Sequence, residues 1–424
     1  MDSRVKMEGR VHSFPYNKHI WVLSINQLAD PNTEKVFSDE FSNCFDPAEY
    51  NFNSVTDLVM GTGVNELNTV GDHTSYLQQT IHNCEKLFPN LKNIYLFYTN
   101  VYFQENLLNA NANITCIHLP YFLMRSALPN ETQFTDWDVG NKRAICLIGD
   151  IRNRVHKFPL IYYFYKNNKL DVVDYSLLNT HYGDNYFTEE HCALVIDAIN
   201  GCFNKTYDLK TFENLYHSLS KTFSNDDGFI NPAAQTGLSR YTHNFPPAWH
   251  EATVNILLES KFYPLKEHVG RLVNNGQPEF FFSEKVWKPL MSGKPFISLS
   301  AYDLIDTQLE SMGFRTFTKY TNISDKATIP KHGDFIDFTK SLHKYLEICY
   351  SRTLSFIDNC ELYRQEIKED VVHNIKLWEK LSYESWEELY TKCPVARKMT
   401  KEEFCEIFNH VPSFNMFGNW FEKG

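Results

Sequence analysis

Residues 57–99, DLVMGTGVNELNTVGDHTSYLQQTIHNCEKLFPNLKNIYLFYT, carry the clearest signal of fold class in the chain. The apolar runs at 57–63 and 94–99 have the length and composition of buried strands. Between them, residues 74–88 place apolar side chains at the spacing of a helix. A strand, a helix and a second strand in this order predict a βαβ unit and therefore a parallel sheet.

The same alternation continues on both sides of this stretch. Strands are expected at 20–25 before it and at 114–121 after it. The polar residues 129–143 then interrupt the apolar pattern, and AICLIG at 144–149 starts a new one. We therefore place a domain boundary at this interruption.

The predicted organisation is an α/β protein with two nucleotide-binding-like domains that face each other across a cleft. The first domain spans residues 1–140 and the second spans residues 141–395. The second ends in a strongly amphipathic helical segment at about 337–390. Residues 396–424 carry too many apolar side chains for a free tail, so we expect them to dock on the body or on a second copy in a homodimer.

Composition excludes two broad classes. The 424 residues include 41 Lys and Arg against 52 Asp and Glu, which gives a net charge of −11. This charge excludes a generally basic protein that coats nucleic acid without regard to sequence. Hydrophobic residues at 43% and charged residues at 22% are ordinary globular usage and exclude disorder as the dominant state.

Cysteine usage and the amino-terminal residues bear on location. The ten cysteines are scattered, without a CxxC pair or a compact Cys/His cluster, which is typical of reduced thiols in a cytosolic protein. The opening MDSRVKMEGRVHS lacks the apolar core of a secretion signal. No stretch approaches the roughly 18 apolar residues of a membrane-spanning helix. We expect a cytoplasmic protein without membrane association.

Residues 280–297, FFFSEKVWKPLMSGKPFI, are the most informative about chemistry. An apolar strand runs into Ser283, a good N-cap, and the short helix after it ends at Gly293 before the next strand. The helix N-terminus would stabilise an anion such as a diphosphate, which Lys285 could neutralise. Glu284 is an acceptor suited to the neighbouring hydroxyls of a ribose or hexose. The alternative is a capped surface helix whose charges are solvated.

This block and the following YDLIDTQLESMGFRTF resemble the "TEK … KP … G.PF … LGF.TF" segment of a family of phage- and virus-encoded glycosyltransferase-like proteins, and more distantly the donor motif of the α-1,3-fucosyltransferases. The resemblance covers about 144–390. It implies a GT-B fold of two Rossmann-like domains, with a nucleotide-diphosphate sugar held mainly by the carboxyl-terminal one. It also implies that Glu284 and Lys285 contact the sugar or ribose and the diphosphate. Ser283 stands where the family usually has Thr, and the insert before the motif is longer than in typical relatives.

Two further segments contribute candidate donor-binding residues. The segment AICLIGDIRNRVHKF at 144–158 resembles the family's basic strand–loop–helix element, and its Arg152 and Arg154 could grip a diphosphate with forked bonds. The strand at 253–259 ends in Glu259, where the family has a Glu that accepts hydrogen bonds from the donor. A solvated basic loop and an ordinary charge at a strand end are the alternatives.

Candidates for a catalytic base lie in the loop after the second strand. Glu66 and Asp72 are expected at the carboxyl edge of the first sheet, where a carboxylate could remove a proton from an acceptor hydroxyl. Most loop carboxylates are merely solvated, which is the alternative for both.

No metal or other cofactor is expected. Asp136-Trp137-Asp138 has the DxD form of a metal-binding signature, but it falls in the predicted linker, and we interpret it as linker. Arginines, Lys285 and the helix dipole would then meet the charge of the leaving diphosphate. In the loop before 253–259, Trp249 and His250 could stack on a nucleobase or pack around a rigid Pro-Pro turn.

The expected function is a glycosyltransferase that moves a monosaccharide from a nucleotide-diphosphate sugar to an acceptor hydroxyl. The acceptor could be a glycan, a small molecule, or a hydroxymethylated base in phage DNA, although the net charge of −11 weighs against DNA. The alternative of another class is a non-catalytic GT-B-like module that binds nucleotides or glycans, because a fold does not guarantee an activity.

Overall fold

The computed structural model of the chain describes residues 5–7, 11–17, 19–25, 51–62, 72–98, 108–118, 137–149, 151, 154–177, 187–219, 247–258, 286, 289–290, 292–300, 303–324, 335–395 and 397. These residues form an α/β protein with two sheets that contain parallel strands. The predicted fold class is confirmed at this level.

The first sheet has six strands that lie side by side in chain order. They are β1 (Val5–Met7), β2 (Val11–Asn17), β3 (Ile20–Ile25), β4 (Asp57–Thr62), β5 (Asn93–Tyr98) and β6 (Asn113–His118). The first two pairings are antiparallel, and β3 to β6 pair in parallel. Helix α1 (Asp72–Leu87) connects β4 to β5, as the predicted βαβ unit requires.

The parallel strands bury both faces, because alternate side chains point to opposite sides. On one face, Leu58 and Leu96 pack in a cluster with Ile81 of α1 and with Phe88, the residue after that helix. On the other face, Val59 and Phe97 belong to the large cluster that also contains the core of the second sheet. The first sheet is therefore sandwiched between its own helix and residues from the other half of the chain.

The second sheet has four strands, all parallel, in the order β8-β7-β9-β10. They are β7 (Ala144–Gly149), β8 (Val173–Leu177), β9 (Val254–Leu258) and β10 (Phe296–Leu299). Every residue of β9 and β10 is buried, including the polar Asn255 and Ser298, so these strands do not alternate between buried and exposed residues.

The remaining helices surround the second sheet and follow it in the chain. They are α2 (Lys157–Lys166), α3 (Glu189–Phe203), α4 (Leu209–Leu219), α5 (Pro247–Glu251), α6 (Leu304–Ser311), α7 (Phe335–Asn359) and α8 (Arg364–Lys392). Helix α7 packs against α2, α3 and β10.

Helix α8 links the two sheets. Near its start, Asp370 is buried and accepts hydrogen bonds from Arg315 (2.8 Å) and from the Tyr320 hydroxyl (2.6 Å), which attach the helix to the segment after α6. Past its end, Cys393 is fully buried and lies near Tyr95 of β5, whose pKa is raised first by burial and then by Asp57 and Cys393. The carboxyl-terminal helix thus ends against the first sheet.

Residues 137–143 pack against the start of β9. The Trp137 indole is buried and donates to the Thr253 carbonyl (3.0 Å), and the Asn141 amide donates to the Glu251 carbonyl (2.9 Å). Gly140 lies directly against Glu251 with a φ of 68°, and a Cβ there would approach the Glu251 oxygen to 2.2 Å. Only glycine accommodates both the left-handed backbone and this approach.

A buried lysine holds the same edge of the sheet. The Lys294 ammonium donates to the carbonyls of Ala252 (2.6 Å) and His250 (3.1 Å), at the carboxyl end of α5. This is where a helix favours a cation, because its last carbonyls are unpaired. Burial nevertheless lowers the pKa of Lys294 to about 7.

Several elements differ from the sequence prediction. The strands expected at 20–25 and 144–149 have those bounds in the structure. Helix α4 lies in a segment for which no helix was predicted, and the helical segment expected at 337–390 is two helices that meet near residue 360. The antiparallel strands β1 and β2 were not expected.

Replacing Gly140 by Ala should destabilise the protein by about 2–4 kcal/mol, because it combines a left-handed backbone with a clash against backbone. The measurement is the free energy of unfolding in urea. Gly313→Ala is the matched control, since Gly313 has a φ of 91° but its added Cβ would meet a flexible Leu377 side chain at 3.3 Å. The control should lose only about 1–2 kcal/mol. Equal losses would contradict the packing at Gly140.

Lys294 should make stability rise with pH. Its folded pKa of about 7 lies below the 10.5 of the unfolded chain, so between these values the unfolded state binds the extra proton. Stability is therefore lowest below pH 7 and increases as pH rises toward 10. Lys294→Met should remove this slope, which is at most about 1.4 kcal/mol per pH unit. Parallel urea titrations of both proteins at pH 7 and 9.5 test it, and an unchanged slope in the variant would refute it.

Candidate functional site

The order of the second sheet places a crevice at one edge. In this sheet β7 and β9 are neighbours, with β8 beyond β7 and β10 beyond β9. The chain that leaves β7 goes on to β8, and the chain that leaves β9 goes on to β10. The two connections therefore leave the carboxyl ends of β7 and β9 in opposite directions. Ligands of open parallel sheets bind in the crevice outside such a reversal of strand order. The segment with Arg152 and Arg154 follows β7, and Glu259 follows the last residue of β9. Three of the predicted donor-binding residues are thus next to this crevice in the chain.

Arg154 is the one predicted donor-binding residue whose side chain lies in the described part of the structure. It is half-buried in the turn between β7 and α2, where its amide donates to the carbonyl of the fully buried Ile151 (2.9 Å). This turn is at the carboxyl edge of the sheet, as the sequence predicted. Arg152 and Glu259 lie outside the described residues.

The other two basic residues of this segment are inside the protein. His156 and Lys157 are 1% and 3% exposed, and the Lys157 ammonium donates to the Ile148 carbonyl of β7 (2.7 Å). A solvated basic loop is therefore excluded for these two. The positive charge of Lys157 lies beneath the turn that carries Arg154.

The amino terminus of α2 points to the same edge. The helix begins at Lys157, and the side chain of its N-cap residue, His156, makes no capping hydrogen bond. The first N–H groups of a helix and the positive end of its dipole favour an anion. Two described basic residues, Arg154 and Lys157, therefore lie at or next to the start of this helix.

The predicted strand–helix–strand segment before β10 is described in its second half. Val286, Pro289, Leu290 and Ser292 are helical, and Gly293 has a φ of 66°. The Lys294 amide donates to the Pro289 carbonyl (2.8 Å), which closes the helix with a Schellman-type bond. The predicted end of the helix at Gly293 is confirmed. Ser283, Glu284 and Lys285 lie outside the described residues, and Val286 next to them is fully buried.

A buried polar cluster, which we call the β10 cluster, lies just past the carboxyl end of β10. It consists of Ser298, Ser300, Asp303, Asp306 and Arg352. The guanidinium of Arg352 on α7 binds Asp303 with two parallel bonds, of 2.9 and 3.2 Å. Ser298 donates to Oδ2 of Asp306 (2.7 Å), and the Ser300 hydroxyl accepts from the Ile305 amide (3.3 Å).

The two charged partners of this ion pair are held by different elements. Asp303 precedes α6 and has a φ of 52°, in the left-handed region, whereas Arg352 lies on α7. Burial acts to lower the pKa of Arg352, but the hydrogen bond and the charge of Asp303 outweigh it, so the pKa is raised. Such a pair fixes the loop after β10 against α7.

The candidates on the first sheet are described less fully. Asp72 is the first residue of α1, which follows β4 in the chain after that strand has ended at Thr62. A carboxylate at this position also suits the positive end of the helix dipole. Glu66 lies outside the described residues.

Asp138 of the DxD triplet and Trp249 of the aromatic loop make structural contacts, whereas Asp136 lies outside the described residues. Asp138 accepts from the Val139 amide and from Arg364 of α8, at 2.7 Å each, and these bonds lower its pKa, with the amide bond the largest cause. Trp249 is 1% exposed and donates to the Ser292 hydroxyl (3.0 Å), on the amino-terminal side of β9. Of the two alternatives for the aromatic loop, packing is the one seen at Trp249.

The described residues offer no metal-binding cluster, membrane-spanning helix or disulfide. No group of three or more His, Cys, Asp and Glu side chains there converges as a metal-binding set. None of the helices in those ranges combines the length and apolar composition needed to cross a bilayer. The cysteines in those ranges form no disulfide, and burial raises the pKa of Cys349 to about 12.

In comparisons with known proteins, no family model and no curated protein matched the chain.

Sequence reasoning did not find the β10 cluster. Asp303 precedes α6 and Asp306 lies in its first turn, positions where acidic residues usually serve the helix N-terminus. Arg352 is 49 residues after Asp303, in a helix whose apolar spacing gives no sign of a buried cation. No local signal connects the two residues.

Arg352→Met should destabilise the protein by about 3–5 kcal/mol, because it leaves the buried Asp303 carboxylate without its cation. Adding Asp303→Asn should restore part of this loss. Arg364→Met is the matched control, since Arg364 is half-exposed and pairs with an exposed Asp138, and it should lose about 1 kcal/mol or less. Urea unfolding at pH 7 measures all three. A loss at Arg352 no larger than that at Arg364 would contradict the assignment.

Proposed function

We propose that the chain is a glycosyltransferase of the GT-B type, which moves a monosaccharide from a nucleotide-diphosphate sugar to an acceptor hydroxyl. The observation that carries the proposal is the reversal of strand order between β7 and β9, because the chain segments with Arg152, Arg154 and Glu259 follow these two strands. The resemblance of 280–297 to the donor motif of glycosyltransferase-like proteins supports a donor site at the same edge of this sheet.

The diphosphate of the donor would bind over the turn after β7. Arg154 is half-buried there, and the ammonium of Lys157 lies beneath it at 2.7 Å from the Ile148 carbonyl. The positive end of the α2 dipole would add to this attraction, since the helix begins at Lys157. Arg152 and Lys285 would complete the set, because arginines form forked, charge-assisted bonds with phosphate oxygens.

The sugar and ribose would be held by acceptor groups. Glu259 and Glu284 would accept hydrogen bonds from hydroxyls, and Ser283 would cap the helix that faces the diphosphate. Acceptor-only carboxylates suit hydroxyls and repel phosphates, so these two residues would orient the donor with its sugar away from the cationic turn.

The reaction needs a base on the acceptor side. Asp72 or Glu66, at the carboxyl edge of the first sheet, would take the proton of the acceptor hydroxyl as its oxygen attacks the anomeric carbon. The bond from that carbon to the nucleoside diphosphate breaks, and the leaving diphosphate keeps the electron pair. Arg152, Arg154, Lys285 and the α2 dipole would stabilise the charge that develops on it.

The charge distribution favours a glycan or small-molecule acceptor. The net charge is −11, whereas binding to duplex DNA draws on several phosphate contacts from basic side chains. A hydroxymethylated DNA base is kept as the second acceptor to be tested, because a flipped base can be recognised by a local pocket.

The donor site is tested by thermal stability against UDP-, GDP-, ADP- and CMP-linked sugars. A ligand that binds only the folded state stabilises it by about 2.7 kcal/mol at 100 times its Kd, so one nucleotide class should raise the melting temperature selectively. Arg154→Gln and Lys285→Ala should each weaken binding about 10- to 100-fold, as expected for a lost charge-assisted bond. Arg364→Gln, on α8 and paired with Asp138, should bind as the wild type does.

Turnover separates an enzyme from a binding module. With the selected donor and a panel of glycan, small-molecule and hydroxymethylated-DNA acceptors, Asp72→Asn or Glu66→Gln should lower kcat about 100- to 10,000-fold while donor binding stays intact. No melting shift with any donor would overturn the proposed function. A shift without turnover on any acceptor would favour the non-catalytic module.

A further inference from the structure

The β10 cluster contains more carboxylate than its cation can neutralise. The charged groups that face Asp306 are Asp303 and Glu310 from α6 and Arg352 from α7. Arg352 directs both of its terminal nitrogens to Asp303, at 2.9 and 3.2 Å. The guanidinium of Arg352 therefore lies near Asp306 but makes its hydrogen bonds to Asp303.

Asp306 itself is poorly satisfied as an anion. It is 5% exposed, and its Oδ2 accepts one bond, from the neutral hydroxyl of Ser298 (2.7 Å). Among the described residues, its Oδ1 is buried and has no hydrogen-bond partner. A buried carboxylate with one neutral donor is strongly disfavoured in its charged form, so the protonated form fits this position. The remaining titratable neighbour, the Cys349 thiol of α7, stays neutral because burial raises its pKa to about 12.

The backbone at this position depends on the same cluster. Asp303 has a φ of 52° and a ψ of 34°, a left-handed conformation that disfavours residues with a side chain. Such a conformation persists where surrounding contacts hold it. Here the fork of Arg352 holds Asp303, and any competition for that guanidinium weakens the hold.

We propose that the β10 cluster is a proton-dependent latch: with Asp306 protonated it fixes the loop after β10 to α7, and with Asp306 ionised it loosens that loop. Ionised Asp306 repels Asp303 and competes for Arg352, so the αL turn at Asp303 loses its support. Because β10 lies next to β9, the loosened loop borders the proposed donor crevice, and donor affinity should fall as pH rises. This last step rests on the proposed function.

The sign of the stability effect follows from the two protonation states. The pKa of Asp306 is raised from 3.8 to about 7: burial is the largest cause, Asp303 and Glu310 also raise it, and Ser298 and Arg352 act to lower it. Between these values the folded state binds the extra proton, so stability falls as pH rises. Relative to Asp306→Asn, the folding constant of the wild type should drop about 100-fold between pH 5 and pH 8.

The experiment is urea unfolding of the wild type, Asp306→Asn and Lys294→Met at pH 5, 6, 7 and 8. The ratio of the folding constant of the wild type to that of Asp306→Asn should show the 100-fold drop, and the titration of Lys294 cancels from this ratio because both proteins contain Lys294. Between pH 5 and pH 6, Lys294→Met should lose stability as the wild type does, because Lys294 is protonated in both folded and unfolded chains below its own pKa of about 7. If the ratio of the folding constants of the wild type and Asp306→Asn does not change with pH, the latch is overturned. If Asp306→Asn does not fold, amide exchange of the wild type decides: after correction for the intrinsic rate, residues 303–312 should open more at pH 8 than at pH 5.5, and equal opening overturns the latch.

Donor binding separates this proposal from the proposed function. The selected nucleotide sugar should bind the wild type at least 5-fold more weakly at pH 8 than at pH 6, and Asp306→Asn equally at both. A pH-dependent folding ratio with no nucleotide binding leaves the latch standing and overturns the glycosyltransferase. Nucleotide binding together with a folding ratio that does not change with pH overturns the latch and leaves the glycosyltransferase proposal standing.

Discussion

The central position of β7 is the constraint on which the second half of the molecule depends. Its backbone pairs with β8 on one side and β9 on the other, so both of its edges are satisfied by hydrogen bonds. Parallel strands cannot be joined by tight turns, and the chain must leave and return through helices. The reversal of direction after β8 follows from this arrangement, and the crevice at the carboxyl ends of β7 and β9 is its direct result.

The two edges of this sheet have opposite electrostatic characters. At the amino edge, the last carbonyls of α5 surround the Lys294 ammonium, and residues 137–143 close over them. At the carboxyl edge, the start of α2 brings N–H groups and the Lys157 charge to the turn at Arg154. Helices that run opposite to the strands produce this difference. It explains why an anionic ligand is expected at one edge and structural bonds are found at the other.

Most of the strands could be predicted because a buried parallel strand is a short apolar run bounded by polar residues, as at 20–25 and 144–149. Helix α4 was missed because its apolar face is narrow within a polar segment. The return of α8 to the first sheet and the pairing of Arg352 with Asp303 depend on contacts between distant parts of the chain. At the candidate site, sequence placed Arg154 and the helix end at Gly293 correctly, but the burial of His156 and Lys157 required the packed structure.

The most direct test of the account is amide exchange of the full chain with and without the nucleotide sugar that stabilises it best. If the donor lies in the crevice of the second sheet, peptides covering 148–160 and 256–260 should be protected, while the amino-edge peptide 247–254 should exchange as before. Protection confined to the amino edge or to the first sheet would contradict the placement of the site between β7 and β9.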